Sequence, residues 1–292
     1  MGLTEMRPGA GSFKAINTEP SRFYLAMMRS EVLKLPLTNL ACNECGRKVL
    51  LSKLSAGGKP SVVGEWPWQA AIYDVREKDQ VCGGALIREQ WVLTAAHCVV
   101  VHVSLSCDEN RRDYLQVSQI IIYDDFNYQN YDSDIALLKL VEPAALTQRV
   151  QLVCLPNRHS LSDVHFKKGL RGWVAGWGFN ASDLSPDVLM EVELPIISNA
   201  DCRFDTISLT GDHTITSTLT SNMFCAGDDK DTPLKSYKTV CHGDSGSPLV
   251  VQASTSPESS WQVEGIVSHF FGKEDCSMRR PGQYGIFTKV NR

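Results

Sequence analysis

The sequence predicts an all-β protein, and three observations carry that prediction. From Cys42 onward the apolar segments are strand-sized and rich in Val, Ile and aromatic residues. Clusters of Gly, Pro, Asn and Asp separate them, which is the punctuation of strands joined by turns. Helical signals are few and brief: a turn at Thr94–Cys98, and a stretch at Ser198–Phe204 that Ser198 or Asn199 can cap.

In chain order, residues 1–41 show no clear periodicity and stay unassigned, with a short helix open over Arg22–Leu35. Gln69–Tyr73, Ala85–Ile87, Ile120–Tyr123 and Ile135–Leu140 follow as strands, then Trp173–Ala175, Pro248–Val251 and Gly265–Ser268. No internal repeat or low-complexity tract interrupts them.

Composition narrows the function. A net charge of −4 over 292 residues gives no reason to expect nucleic acid or an anionic membrane as partner. No run reaches the ~18–20 apolar residues needed to span a bilayer. Ten cysteines suggest an oxidising compartment, yet the amino terminus lacks the basic start and apolar core of a signal peptide. A fragment or alternative form of a longer secreted protein reconciles the two; a leaderless chain with reduced cysteines is the alternative.

Three segments carry chemistry: Thr94-Ala95-Ala96-His97-Cys98, Asp132-Ser133-Asp134-Ile135-Ala136, and Cys241-His242-Gly243-Asp244-Ser245-Gly246-Ser247-Pro248. Alone, any of the seven histidines reads as structural, and Gly-Asp-Ser-Gly as a turn. In the order His, Asp, Ser within a β-rich chain, they resemble the chymotrypsin–trypsin family of serine proteases over residues 45–292. Trp66-Pro67-Trp68-Gln69, Cys82-Gly83-Gly84-Ala85-Leu86, Gly176-Trp177-Gly178 and Asn222-Met223-Phe224-Cys225-Ala226-Gly227 extend the match. Within the family the wording is nearest to multidomain proteases of the horseshoe-crab clotting factor C type.

The resemblance implies two six-stranded antiparallel β-barrels with the site between them. It implies Ser245 as nucleophile, His97 as base and Asp134 as the group that orients the base. The N–H groups of Gly243 and Ser245 would form the oxyanion hole. It also implies bridges Cys82–Cys98, Cys202–Cys225, Cys241–Cys276 and Cys45–Cys154, the last tethering a propeptide-like linker at 42–54 to a protease domain at 55–292. Cys42 and Cys107 are left over; Cys42-x-x-Cys45 read as half a zinc or redox site is a weak alternative. Implied partners are a protein or peptide substrate, a serpin-like inhibitor and upstream domains that this chain lacks. Nothing points to a metal or organic cofactor. Asn180-Ala181-Ser182 fits a glycosylation acceptor in an exposed loop.

Four departures from the family pattern bear on activity. The terminus that should pair with Asp244 after cleavage falls at Ser55, preceded by Leu54, where the family has a hydrophobic residue preceded by a basic one. His97 and Asp134 lie 37 residues apart, shorter than is usual, which leaves the first barrel open to lacking a strand. In the specificity pocket, Thr239 stands at the base instead of an aspartate, and Phe270 follows Ser268 and His269 where the wall is normally small; Gly282 is retained. A narrowed pocket for small apolar side chains is expected, with no strong Arg or Lys preference. Ser247 replaces a glycine and costs stability if its φ is positive. The chain also stops short of the family's closing helix.

Two readings follow: a secreted serine endopeptidase, or a pseudoprotease that keeps the triad and serves as a binding or regulatory module. A lipase or esterase fits poorly, because in that fold the His follows the Ser.

Overall fold

The computed structural model describes residues 13–16, 23–27, 45–48, 58–74, 79–100, 115–156, 170–253, 260–272 and 275–291. The strands are β1 (Phe13–Ile16), β2 (Phe23–Met27), β3 (Lys59–Pro60), β4 (Gln69–Asp74), β5 (Asp79–Arg88), β6 (Trp91–Thr94), β7 (Leu115–Tyr123), β8 (Ala136–Leu140), β9 (Arg171–Gly176), β10 (Met190–Ile197), β11 (Met223–Ala226), β12 (Pro248–Gln252), β13 (Trp261–Phe270) and β14 (Gly285–Lys289). Helix α1 (His97–Val100) follows β6 and helix α2 (Asn199–Thr210) follows β10. Every expected strand segment falls on one of these strands; the helix signal at Ser198–Phe204 is α2, while the turn placed at Thr94–Cys98 is shifted, since Thr94 ends β6 and α1 begins at His97. Ser198 caps α2 by accepting the Asp201 N–H at 3.1 Å.

Two sheets close on themselves. In the first, β2, β4, β5, β6, β8 and β7 pair in that order and β7 returns to β2, with β1 added along β7. In the second, β9, β10, β11, β14, β13 and β12 form the ring, with β3 added along β10. This is the double-barrel architecture expected. Along β8 the alternate residues Ala136, Leu138 and Leu140 are buried, the period of two that one-sided packing requires. Trp66, Trp68, Trp173 and Trp261 join strands of both barrels, with the Trp66 ring 5.4 Å from Trp261 and 5.8 Å from Trp173.

Between His97 and Asp134 the described chain contributes one barrel strand, β7. The place beside it is taken by β2, from far upstream. One edge of β2 pairs Tyr24 and Leu25 with Gln116 and Leu115 of β7; the other runs along β4, from Phe23 opposite Asp74 to Met27 opposite Ala70. Open edges on β4 and β7 would leave backbone donors and acceptors unpaired inside a barrel wall, and β2 satisfies both. The helix expected over Arg22–Leu35 is corrected here: Phe23–Met27 is extended, because pairing on two edges outweighs local preference. Residues 28–35 lie outside the described residues.

Four disulfides are formed: Cys45–Cys154, Cys82–Cys98, Cys202–Cys225 and Cys241–Cys276, with Cα–Cα separations of 5.0, 6.2, 6.3 and 6.0 Å. The first anchors the short segment 45–48 on the body. There the Gly46 N–H donates to the Leu152 carbonyl, and Lys48 lies buried 3.4 Å over the Trp66 ring while pairing with Glu65 at 2.9 Å. Cys42 and Cys107 lie outside the described residues, and with them the Cys42-x-x-Cys45 reading.

Candidate active site

His97 opens α1 and Asp134 closes the loop before β8. Their approach is set by strand register rather than by the chain between them. β6 and β8 pair with Thr94 opposite Ala136, so the residue three beyond one strand and the residue two before the other leave the barrel at the same end. The short span therefore does not displace them, which corrects the doubt that it raised. His97 Nδ1 lies 2.7 Å from Asp134 Oδ2, and the His97 backbone N–H donates to Oδ1 at 2.8 Å.

Asp134 has no exposed surface. Burial alone pushes its pKa up, but the His97 charge and hydrogen bonds from the His97 ring, Ser268 and the His97 backbone outweigh it and hold the carboxyl below its usual range. The Ser268 bond is short: its hydroxyl donates to Asp134 Oδ2 at 2.6 Å. Sequence reasoning assigned Ser268 to the pocket wall and missed this contact, because nothing in the spacing links positions 134 and 268. The loop holding Asp134 is itself pinned across the barrels. Asp132 accepts from Thr220 and Asn222 at 2.6 and 2.9 Å, and Ser133 accepts from Asn222 at 3.0 Å. Tyr131 and Ser133 both adopt φ of 57°, a left-handed kink that these contacts sustain.

Ser245 reaches the first barrel through its backbone, its carbonyl accepting from the Gly83 N–H at 2.7 Å. Next to it, Gly246 (φ 81°) presses so close to Thr94, Gly83 and Ala95 that a Cβ would meet atoms at 2.3 Å. The loop thus abuts the segment that carries His97. Among the described residues no hydrogen bond joins the Ser245 hydroxyl to His97; His97 Nε2 is 3.8 Å from the Cys98 sulfur. Gly243 has φ of 94°, and among the described residues neither its N–H nor that of Ser245 meets a protein acceptor.

Asp244 points away from Ser245. Its carboxylate accepts from the Gly178 N–H at 2.9 Å and the Cys241 N–H at 2.8 Å. The absence of side chains at Gly176 and Gly178 makes room for it, since a Cβ on either would collide with its oxygens. Although a sliver of the residue faces the cleft, packed atoms enclose the carboxyl, and burial pushes its pKa up to about 6 against those two N–H donors. Beside it lies a cavity of about 610 Å³ that Gly58, Glu191, Thr239 and Asp244 help to line. Ser55, Leu54 and Lys53 lie outside the described residues.

Of the pocket residues, Thr239 is half-buried at the cavity wall, and Gly282, at φ of 87°, donates its N–H to the Asp228 carbonyl. The Phe270 ring packs on the core of the second barrel, 3.4 Å under the Arg279 guanidinium and edge-on to His242 at 6.0 Å. It thus spans from the loop of Ser245 to the loop of Gly282. Sequence reasoning named neither Arg279 nor His242 here.

Ser247 is corrected. It is not among the residues with positive φ, and it is fully buried, its hydroxyl accepting from the Gln69 side chain at 3.0 Å. The room it needs exists because Gly83, opposite, has no side chain. Asn180 and its triplet are exposed, in a loop where the Asn180 side chain accepts the Ser182 N–H at 2.8 Å. Cys82, His97 and Cys98 come within metal-binding distance of one another, but the two sulfurs are bonded together and cannot serve as thiolate ligands. No helix among the described residues is long and apolar enough to cross a membrane.

The Trypsin family model matches residues 55–292. Among curated relatives, clotting factor C of Tachypleus tridentatus is 34% identical over 257 residues, covering 80% of this chain and 24% of the relative. Limulus clotting factor C of Carcinoscorpius rotundicauda matches to the same extent. Transmembrane protease serine 5 of Homo sapiens is 32% identical over 269 residues, covering 87% of this chain and 53% of the relative. The chain thus spans between a quarter and about half of the length of these proteins.

Proposed function

The chain belongs to the trypsin family of serine proteases, and on that premise we propose that it is a serine endopeptidase whose nucleophile is Ser245. His97 takes the Ser245 proton as the hydroxyl attacks the peptide carbonyl, then returns it to the leaving amine. Asp134 holds Nδ1–H of the imidazole and stabilises its cation. The free N–H groups of Gly243 and Ser245 bind the developing oxyanion, each donor worth a few kcal/mol of barrier. Water then releases the acyl group by the reverse path. The observation that carries this reading is the His97–Asp134 pair, held at 2.7 Å on a carboxylate without exposed surface.

The protease domain runs from 55 to 292, with 42–54 as a propeptide-like linker. It works outside the cell, where its disulfides persist, in company with domains upstream of it. With Thr239 at the base and Phe270 across the pocket, it favours small apolar residues before the cleaved bond, and a serpin-like inhibitor fits the same cleft.

A second reading has a specific observation behind it. The cavity beside Asp244, and the lack of a Ser245–His97 hydrogen bond among the described residues, suit a zymogen or pseudoprotease in which the nucleophile is not yet engaged. Resting geometry of this kind tightens on binding in many enzymes. Labelling with a fluorophosphonate, before and after limited cleavage near Lys53, separates the two. Labelling that follows cleavage and vanishes in Ser245→Ala establishes the endopeptidase. A folded chain that labels in neither state is a pseudoprotease.

A further inference from the structure

His269 is used by none of the steps above, yet it touches both partners of the His97–Asp134 pair indirectly. Its Nδ1 lies 3.1 Å from the Ser268 hydroxyl oxygen. That hydroxyl has one proton, which the 2.6 Å contact with Asp134 Oδ2 claims. At the His269 contact, Ser268 can therefore only accept, and the donor must be Nδ1–H. This assigns the tautomer. Nε2 is then the unprotonated nitrogen, and it is buried without a hydrogen-bond partner. A proton there would have no acceptor, and burial, aided by the His97 charge and opposed by that of Asp134, pushes the pKa of His269 down to about 4. The ring is a neutral donor.

The other contact is through Tyr131. Its ring stacks on His269, with centroids 4.9 Å apart and planes 23° from parallel. The same Tyr131 ring meets His97 edge-on at 5.5 Å. One imidazole thus reaches Asp134 through Ser268 and His97 through Tyr131.

We infer that His269 is a positioning residue: its Nδ1–H, donated to Ser268, polarises and aims the hydroxyl that fixes Asp134. This rests on the endopeptidase reading for its consequence in catalysis, but the hydrogen-bond chain exists whether or not the protein turns over. Without the Nδ1 donor, the Ser268 hydroxyl is held by its bond to Asp134 alone and is less polarised toward it. The partner on the carboxylate oxygen that faces His97 is then weaker and less firmly aimed.

Two substitutions separate the donor from the ring. His269→Phe keeps a ring against Tyr131 and removes the donor; His269→Asn places an amide N–H where Nδ1 stands and removes the ring. In the full chain carrying Ser245→Ala, the far-downfield proton resonance of the His97 Nδ1–H···Asp134 bridge is read for each. His269→Phe is expected to shift or broaden that resonance, and His269→Asn to keep it near its parental position. With Ser245 intact and the chain cleaved, kcat is expected to fall about fivefold in His269→Phe with KM unchanged, and to recover in His269→Asn, a loss comparable to one hydrogen bond. If His269→Phe does not fold, His269→Gln replaces it, since its amide reaches the place of Nε2 and not of Nδ1. An unmoved resonance in the donor-less variant overturns the inference, as does an equal disturbance in donor-less and donor-bearing variants. A parent without turnover counts against the endopeptidase reading alone, because the resonance is still there to be read.

Discussion

The two barrels close by different means and contribute different halves of the site. The second closes with strands drawn in order from one stretch of chain, β9 to β14. The first borrows β2 from upstream of the matched family domain, which begins at residue 55. Yet the borrowed barrel holds the more firmly fixed pair: His97 and Asp134 are locked by strand register and by hydrogen bonds to both carboxylate oxygens. The self-sufficient barrel bears the cavity beside Asp244 and the Phe270 ring stacked under Arg279. Closure of a barrel and readiness of the loops it bears are separate properties.

The largest effect is expected from removing β2. Deleting residues 13–27 leaves β4 and β7 with open edges, and the expected loss exceeds about 5 kcal/mol, enough to abolish a cooperative thermal transition. A shortened chain that melts at the parental temperature would show that the first barrel closes without it.

A smaller effect tests the second barrel. A carboxyl whose folded pKa is raised binds a proton that the unfolded chain has released, so for Asp244 the stability is full below pH 4 and declines as pH rises through about 6. The decline is on the order of 2 kcal/mol after allowing for solvent at the cleft. Melting temperatures across this range should fall for the uncleaved chain and stay flatter in Asp244→Asn. The same slope in both would place the titration elsewhere.

The smallest effect concerns the pocket. Replacing the ring in Phe270→Gly should raise kcat/KM about tenfold for peptides with a large apolar residue before the cleaved bond, and leave those with alanine there nearly unchanged. Equal change for both would show that the ring lies outside the path of the substrate.

Much of this was legible in the sequence. The strand segments, the Ser198 cap and the His, Asp and Ser segments are local patterns, read from neighbours along the chain. What escaped is non-local. Phe23–Met27 is an apolar run whose period does not distinguish strand from helix, and its extended form is decided by β4 and β7, which lie far along the chain. Ser247 looked strained because its conformation was inferred from the glycine that it replaces; the space that admits it is at Gly83, on another strand. Ser268 and His269 read as pocket wall, and their bonds toward Asp134 depend on where β13 crosses the first barrel.

The Cys45–Cys154 bridge has a practical corollary. A cut anywhere between Lys48 and Gly58 severs the backbone but not the particle, since the upstream piece stays covalently tied at residue 154. Such a nick leaves sedimentation and non-reducing electrophoresis unaltered, and only a reductant reveals two chains. The upstream piece, β2 included, would stay with the body after the cut, making the product a two-chain molecule.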